Sequence, residues 1–118
     1  MEPGRGFSSF LDTAVSNSPV AVTAYPTRVF YVHAVNPNTA DVFVQLFDAQ
    51  VGDVIVGTTT PVQSWLIPGG TGASNRGAFE EEFSWPIQFD IAVTIAVTTE
   101  PSNGTAPSSA VIINLGYK

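Results

Sequence analysis

Residues 87–97 read Ile87-Gln88-Phe89-Asp90-Ile91-Ala92-Val93-Thr94-Ile95-Ala96-Val97, and this stretch decides the fold class. Every odd position is apolar, while the even positions hold Gln, Asp, Ala, Thr and Ala. Side chains of an extended chain alternate between the two sides of a sheet. Such a pattern sets one face on a core and the other toward solvent or a neighbour. The stretch predicts one strand over 87–97.

The same reading extends in both directions. Downstream, residues 110–117 form a strand with Val111, Ile113, Leu115 and Tyr117 on one face. Upstream, residues 28–35 are rich in β-branched and aromatic side chains, Asn36-Pro37-Asn38 supplies a turn, and residues 42–47 follow. Residues 28–47 therefore predict a hairpin. Short strands are expected at 20–24, 53–56, 62–67 and 79–83, with the longest loop over 68–77 around Gly69, Gly70, Gly72 and Gly77. Residues 1–18 are Gly, Ser, Asn and Pro punctuated by Phe7, Phe10, Leu11 and Val15. They read as an extended N-terminal arm, with one helical turn near Phe10, ahead of a single domain over 19–118. Strands at this spacing predict an all-β fold, an antiparallel β-sandwich of about seven or eight strands. Its topology is a jelly roll or immunoglobulin-like.

Composition agrees. Val, Ile and Thr total 34 of 118 residues, against four Leu and one Lys, the β-branched bias of strands. Charged residues make up 12% of the chain, about half the usual share, and 44% is apolar. That excludes the disordered signature and a long helical bundle. The net charge is −6, and the four bases, Arg5, Arg28, Arg76 and Lys118, are scattered. No basic stripe exists to neutralise phosphates or an acidic membrane surface, so neither nucleic acid nor membrane is an expected partner. The lack of cysteine excludes disulfides, thiolate zinc sites and thiol nucleophiles. No apolar run is long enough to span a bilayer, and residues 1–10 lack the features of a secretory signal. The expectation is a protein made and folded in a cytoplasm.

Residues that carry chemistry are few. His33 lies mid-strand, and alternation groups it with Val29, Tyr31 and Val35. A base or metal ligand needs partners, and none is nearby in sequence, so His33 reads as a hydrogen-bonded strand histidine. Neither a nucleophile elbow nor a P-loop occurs. Glu80-Glu81-Glu82 is the densest acidic run, with Glu80 and Glu82 on one face. Paired carboxylates serve glycoside hydrolysis or Ca²⁺ binding, and Ca²⁺ would need Asp53 or Asp90 brought close. A solvated or intersubunit edge that blocks unwanted strand pairing is the simpler reading. Asn103-Gly104-Thr105 reads as a turn. No catalytic residue, cofactor or metal is expected. The candidate partner contacts are Phe7, Phe10 and Leu11 on the arm, which have no core of their own, together with Trp65 and Trp85. Each Trp is either a core residue or an interface anchor.

Several features carry a family likeness: the strand Val29–Val35 running into Asn36, Gly57-Thr58-Thr59-Thr60-Pro61, and Pro68-Gly69-Gly70. Phe89, the Thr98-Thr99 pair and Val111–Tyr117 complete it. On these, residues 28–118 resemble the small β-sandwich virion structural proteins of tailed bacteriophages, some of the capsid decoration or cement type. Where such proteins often carry a Gly before the alternating strand, this chain has Asp90. Residues 1–18 lie outside the likeness. The resemblance implies a non-enzymatic protein bound to the outside of a major capsid shell, after a stage in the host cytoplasm. It would stabilise the shell by burying apolar surface as a homo-oligomer, with a trimer preferred. The other expectation is a tail- or fibre-associated module that presents Trp65 to a host-surface carbohydrate or partner protein. The neutral Thr and Ala positions opposite the apolar faces suit sheets covered in an assembly.

Overall fold

Strands form where β-branched and aromatic residues alternate with small polar ones, and turns form at the Asn, Asp, Gly and Pro clusters between them. The computed structural model describes residues 8–71, 75–101 and 103–118. The strands are β1 (Ser8–Val15), β2 (Val20–Thr23), β3 (Thr27–Asn36), β4 (Val42–Phe47), β5 (Gln63–Ile67), β6 (Gly77–Phe89), β7 (Val93–Thr98) and β8 (Val111–Tyr117). A single 3-10 turn covers Val51–Asp53. Two four-stranded sheets are ordered β1-β8-β3-β6 and β2-β7-β4-β5. Every pairing is antiparallel.

The connectivity has a simple logic. β1 pairs with β8, β2 with β7, β3 with β6 and β4 with β5. The chain runs out through four strands and returns along them, and the doubled ribbon is rolled into two facing sheets. That is jelly-roll connectivity, which strand spacing alone left undecided against the immunoglobulin-like alternative. The core lies between the sheets. It contains Val29, Val32, Ala34, Phe89, Val111, Ile113 and Leu115 from the first sheet, and Val42, Val44, Leu46, Ile67, Val93, Ile95 and Val97 from the second.

The alternating stretch 87–97 is not one strand. Ile87 and Phe89 end β6 in the first sheet, residues 90–92 turn, and Val93 begins β7 in the second. Alternation survives the break because both sheets face the same core and the turn preserves odd–even parity. Only Ile91, 51% exposed at the turn, leaves the pattern. β7 also differs from expectation on its outer side, since Thr94, Ala96 and Thr98 are as buried as Val93, Ile95 and Val97. The loop 48–62 folds over them. Phe47, Val54 and Ala96 form a second small core, with Ala49 and Val56 against it, and the Thr94 hydroxyl donates to Ala49 O at 2.8 Å. The neutral outer face of β7 is covered by the chain itself.

Residues 28–47 are not a hairpin: β3 and β4 lie in different sheets. The crossing is fixed by Asn36, whose side chain is fully buried. Its Nδ2 donates to Ala40 O (3.0 Å), Ile67 O (3.2 Å) and Pro68 O (3.1 Å). Its Oδ1 accepts from the Asn38 backbone N–H (2.9 Å) and Nδ2 (2.8 Å). Asn38 in turn exchanges bonds with Ser109 N and O, tying in the β7–β8 loop. Pro68 O sits where a Cβ on Gly77 would stand, so that close approach needs glycine.

Three further expectations are corrected. Residues 53–56 contain no strand, because the chain leaves the sheet after Phe47 and turns at Val51–Asp53 to cover its outside. Residues 79–83 belong to a longer strand, β6, of 13 residues. Residues 8–15 are extended but not an arm apart from the domain, and no helical turn forms at Phe10. They are strand β1, in register with β8 from Ser8 opposite Tyr117 to Asp12 opposite Ile113, with an irregularity before Val15 meets Val111. The signal was Phe10 and Val15, the apolar residues that turn to the core, set among Ser, Asp and Thr.

Candidate functional site

The residues expected to meet a partner separate into three groups. Phe7 lies outside the described residues. Phe10 and Trp65 point inward and pack against the core. Trp65 lies on β5 and stacks on Phe79 and Phe83 of β6, with ring centroids 6.1 and 5.8 Å apart. This aromatic stack links β5 of one sheet to β6 of the other, and Trp65 is partly buried in it. Leu11 and Trp85 are the two left in water, 63% and 88% exposed. They stand on β1 and β6, the two opposite edges of one sheet, and do not form a common patch.

Trp85 owes its position to an irregularity. Val29 pairs with Ile87 and Tyr31 with Glu82, so residues 83–86 bulge from β6 opposite Phe30. Bulges bend a strand and re-aim side chains, and Pro86 is tolerated because β6 is an edge. The irregularity also overturns the grouping of His33 with Val29. Val29 faces the core, whereas beyond Phe30 it is Val32 and Ala34 that do, leaving His33 outside with Tyr31 and Val35. His33 Nε2 stands 4.0 Å from Glu80 Oε2, and both side chains are well solvated. Glu80, Glu81 and Glu82 are all exposed along the edge. Among the described residues no three His, Cys, Asp or Glu side chains are placed to share a metal ion.

The structure assembles a surface that strand reading missed. At the end of the sandwich where β2, β4 and β6 finish, Tyr25, Val51 and Ile91 project from three loops, 55%, 37% and 51% exposed. The loops are joined beneath them. Gln50 Nε2 donates to Ala24 O at 3.0 Å. The Thr23 and Thr27 hydroxyls lie 2.7 Å apart, and Thr27 donates to Tyr25 O at 2.7 Å. Asp48 accepts from the backbone N–H groups of Asp90 (3.0 Å), Ile91 (2.8 Å) and Ala92 (3.3 Å), and so caps the turn between the sheets. The sequence signal was Asp90, a poor strand former inside an apolar run.

Burial disfavours the Asp48 carboxylate, but the bonds from Ile91, Asp90 and Ala92 outweigh it and hold its carboxyl below the ordinary 3.8. A depressed folded pKa adds stability that is complete above the unfolded value and lost as pH falls through the folded one. Asp48→Ala is therefore expected to cost about 2 kcal/mol at neutral pH, the scale of charge-assisted hydrogen bonds. In urea denaturation the gap between wild type and variant should close in acid. A gap that persists below the folded pKa would show that the carboxylate charge is irrelevant.

No protein-family model matches the chain, and no curated protein matches it in sequence.

Proposed function

We propose that this protein is a structural component of a phage virion, a capsid decoration or cement protein that binds the outside of the major capsid shell without catalysis. The observation that carries the reading is the apolar end formed by Tyr25, Val51 and Ile91, three large side chains held in water by a hydrogen-bonded loop scaffold. A preordered apolar surface with a polar surround is what a protein partner covers. The sequence likeness over residues 28–118 supports the same reading, as does the jelly roll, an architecture that capsid proteins use among others. In this reading the outer surface of the major capsid protein is the partner, and Trp85 and Leu11 at the sheet edges join copies of the chain into a trimer.

Purified protein is expected to co-sediment with capsids that lack tails. Capsids that carry none of it would end the reading. Because β1 is part of a sheet, removing residues 1–18 would damage the fold rather than test an arm. Point substitutions at the apolar end are the cleaner probe. Tyr25→Ser and Ile91→Ser are each expected to weaken capsid binding about tenfold, the scale of a central apolar contact. Both are exposed, so melting should be nearly unchanged. Full binding by the double variant would place the contact elsewhere.

A further inference from the structure

Each four-stranded sheet ends in two edge strands, β1 and β6 in the first, β2 and β5 in the second. An edge strand presents backbone N–H and C=O groups that lack a ladder partner, and proteins blunt such edges with charge, bulges, proline or short length. Three of the four edges are blunted. β6 carries Glu80, Glu81 and Glu82, a bulge and Pro86. β1 carries Asp12 and an irregularity before Val15. β2 is four residues long and is irregular between Ala21 and Thr23. β5 has none of these devices. Residues 63–67 pair with β4 in unbroken register, and residues 54–75 hold no charged side chain.

The residues along this edge indicate what covers it. Trp65 and Ile67 turn to the core, so Ser64 and Leu66 face the outer side of the second sheet. Val62, held beside β4 by its N–H bond to Leu46 O at 2.8 Å, continues that outer row. All three are exposed, Val62 and Leu66 to 47% each. The row is symmetric about Ser64, with a large apolar residue two positions away on either side. A second β5 running antiparallel alongside, with a twofold axis at Ser64, sets Val62 opposite the partner's Leu66 and Leu66 opposite the partner's Val62. On the inner side Gln63 falls opposite the partner's Trp65. A twofold contact requires a patch that complements itself, and this segment does. Pro61 and Pro68 lack an N–H and confine the ladder to the residues between them. The three Glu of β6 on the same side of the sandwich repel a second β6, so the contact is one strand deep.

We infer that β5 is a self-association edge: two copies of this chain add their β5 strands antiparallel about Ser64 and join their second sheets into one continuous sheet. A single strand pair buries less surface than a standard interface, so the dimer is weak, with Kd on the order of 100 μM. The contact is twofold and uses neither Leu11 nor Trp85. It is therefore independent of the trimer and of capsid binding, and stands whether or not they do.

The chain has no cysteine, so a single introduced thiol reports the contact. The test is oxidation of the purified full chain carrying Ser64→Cys, at a concentration near the expected Kd, read as disulfide-linked dimer on non-reducing gels. Residues directly opposite in antiparallel strands stand about 4.5–5.5 Å apart at Cβ, close enough for a disulfide after a small shift. Dimer is expected to form roughly tenfold faster than from Thr13→Cys, an exposed position on β1. Added to Ser64→Cys, Leu66→Lys should remove that advantage. Adding Val62→Glu as well should restore it, because the register then sets opposite charges face to face. All three sites are exposed, and circular dichroism melting checks that each variant is folded. Equal rates for Ser64→Cys and Thr13→Cys overturn the proposal. So does crosslinking that Leu66→Lys leaves unchanged, and so does a folded triple variant in which Val62→Glu restores nothing.

Discussion

Asn36→Asp is expected to lower stability by about 4 kcal/mol, and Asn36→Ala by about 3. The alanine leaves Ala40 O, Ile67 O and Pro68 O without the amide that serves them, and strips two bonds from Asn38. The aspartate keeps the acceptor half, so Asn38 remains bound. In place of the amide nitrogen, however, it aims an oxygen at three carbonyls in a fully buried site. A buried charge facing acceptors is worse than a missing donor. The two variants are separable by pH. The new carboxyl must hold a proton when folded, so its folded pKa is raised, and the variant loses stability as pH rises above the unfolded value, about 4. Chemical denaturation across pH checks this. Equal losses for both variants at every pH would mean that Asn36 serves packing rather than the crossing between sheets.

Phe47→Ala is the second large effect, about 3 kcal/mol, at the lower end of Phe truncations because its pocket lies near the surface. Phe47 is fully buried, yet it faces away from the main core, into the cluster with Val54 and Ala96. Its removal should release the loop 48–62 and leave the two sheets standing. Hydrogen exchange should therefore show protection lost from that loop and from the outer side of β7. Truncating Phe89, in the main core, should lower protection in all strands together. A Phe47→Ala variant that also loosens β1 and β8 would contradict the two-layer description.

These residues also show what a single sequence discloses. The strands at 28–35, 42–47, 62–67 and 110–117 were legible to within about two residues, because alternation and flanking Pro, Gly or Asn mark them. What alternation does not carry is sheet membership. Residues 87–97 alternate without a break through a change of sheet, and residues 28–47 look like a hairpin although a buried Asn sends β4 to the other side. Nor does it carry what covers a face. Thr94, Ala96 and Thr98 are neutral because the chain's own loop lies on them, not because a partner must. The sites follow the same rule. Leu11 and Trp85 were legible as large apolar residues in polar or Pro-marked surroundings, but Tyr25, Val51 and Ile91 are brought to one end only by three loops distant in sequence. Trp65 and Trp85 are the same residue type in opposite surroundings, one stacked on Phe79 and Phe83 and the other turned to water where β6 bulges at 83–86.

The nested pairing has a consequence for how the molecule is made. β8 sits inside the first sheet, between β1 and β3, and Ser8 is matched to Tyr117 across nearly the whole chain. During synthesis β1 and β3 therefore leave the ribosome with the place between them empty, their apolar faces and backbone edges uncovered until β8 arrives. The second sheet can assemble earlier, since β2, β4, β5 and β7 are all complete by Thr98. Closure then waits on the most distant contacts in the chain, the kind that slows folding to milliseconds or longer and lengthens exposure to aggregation. A nascent chain halted after β7 is the species on which a chaperone would act.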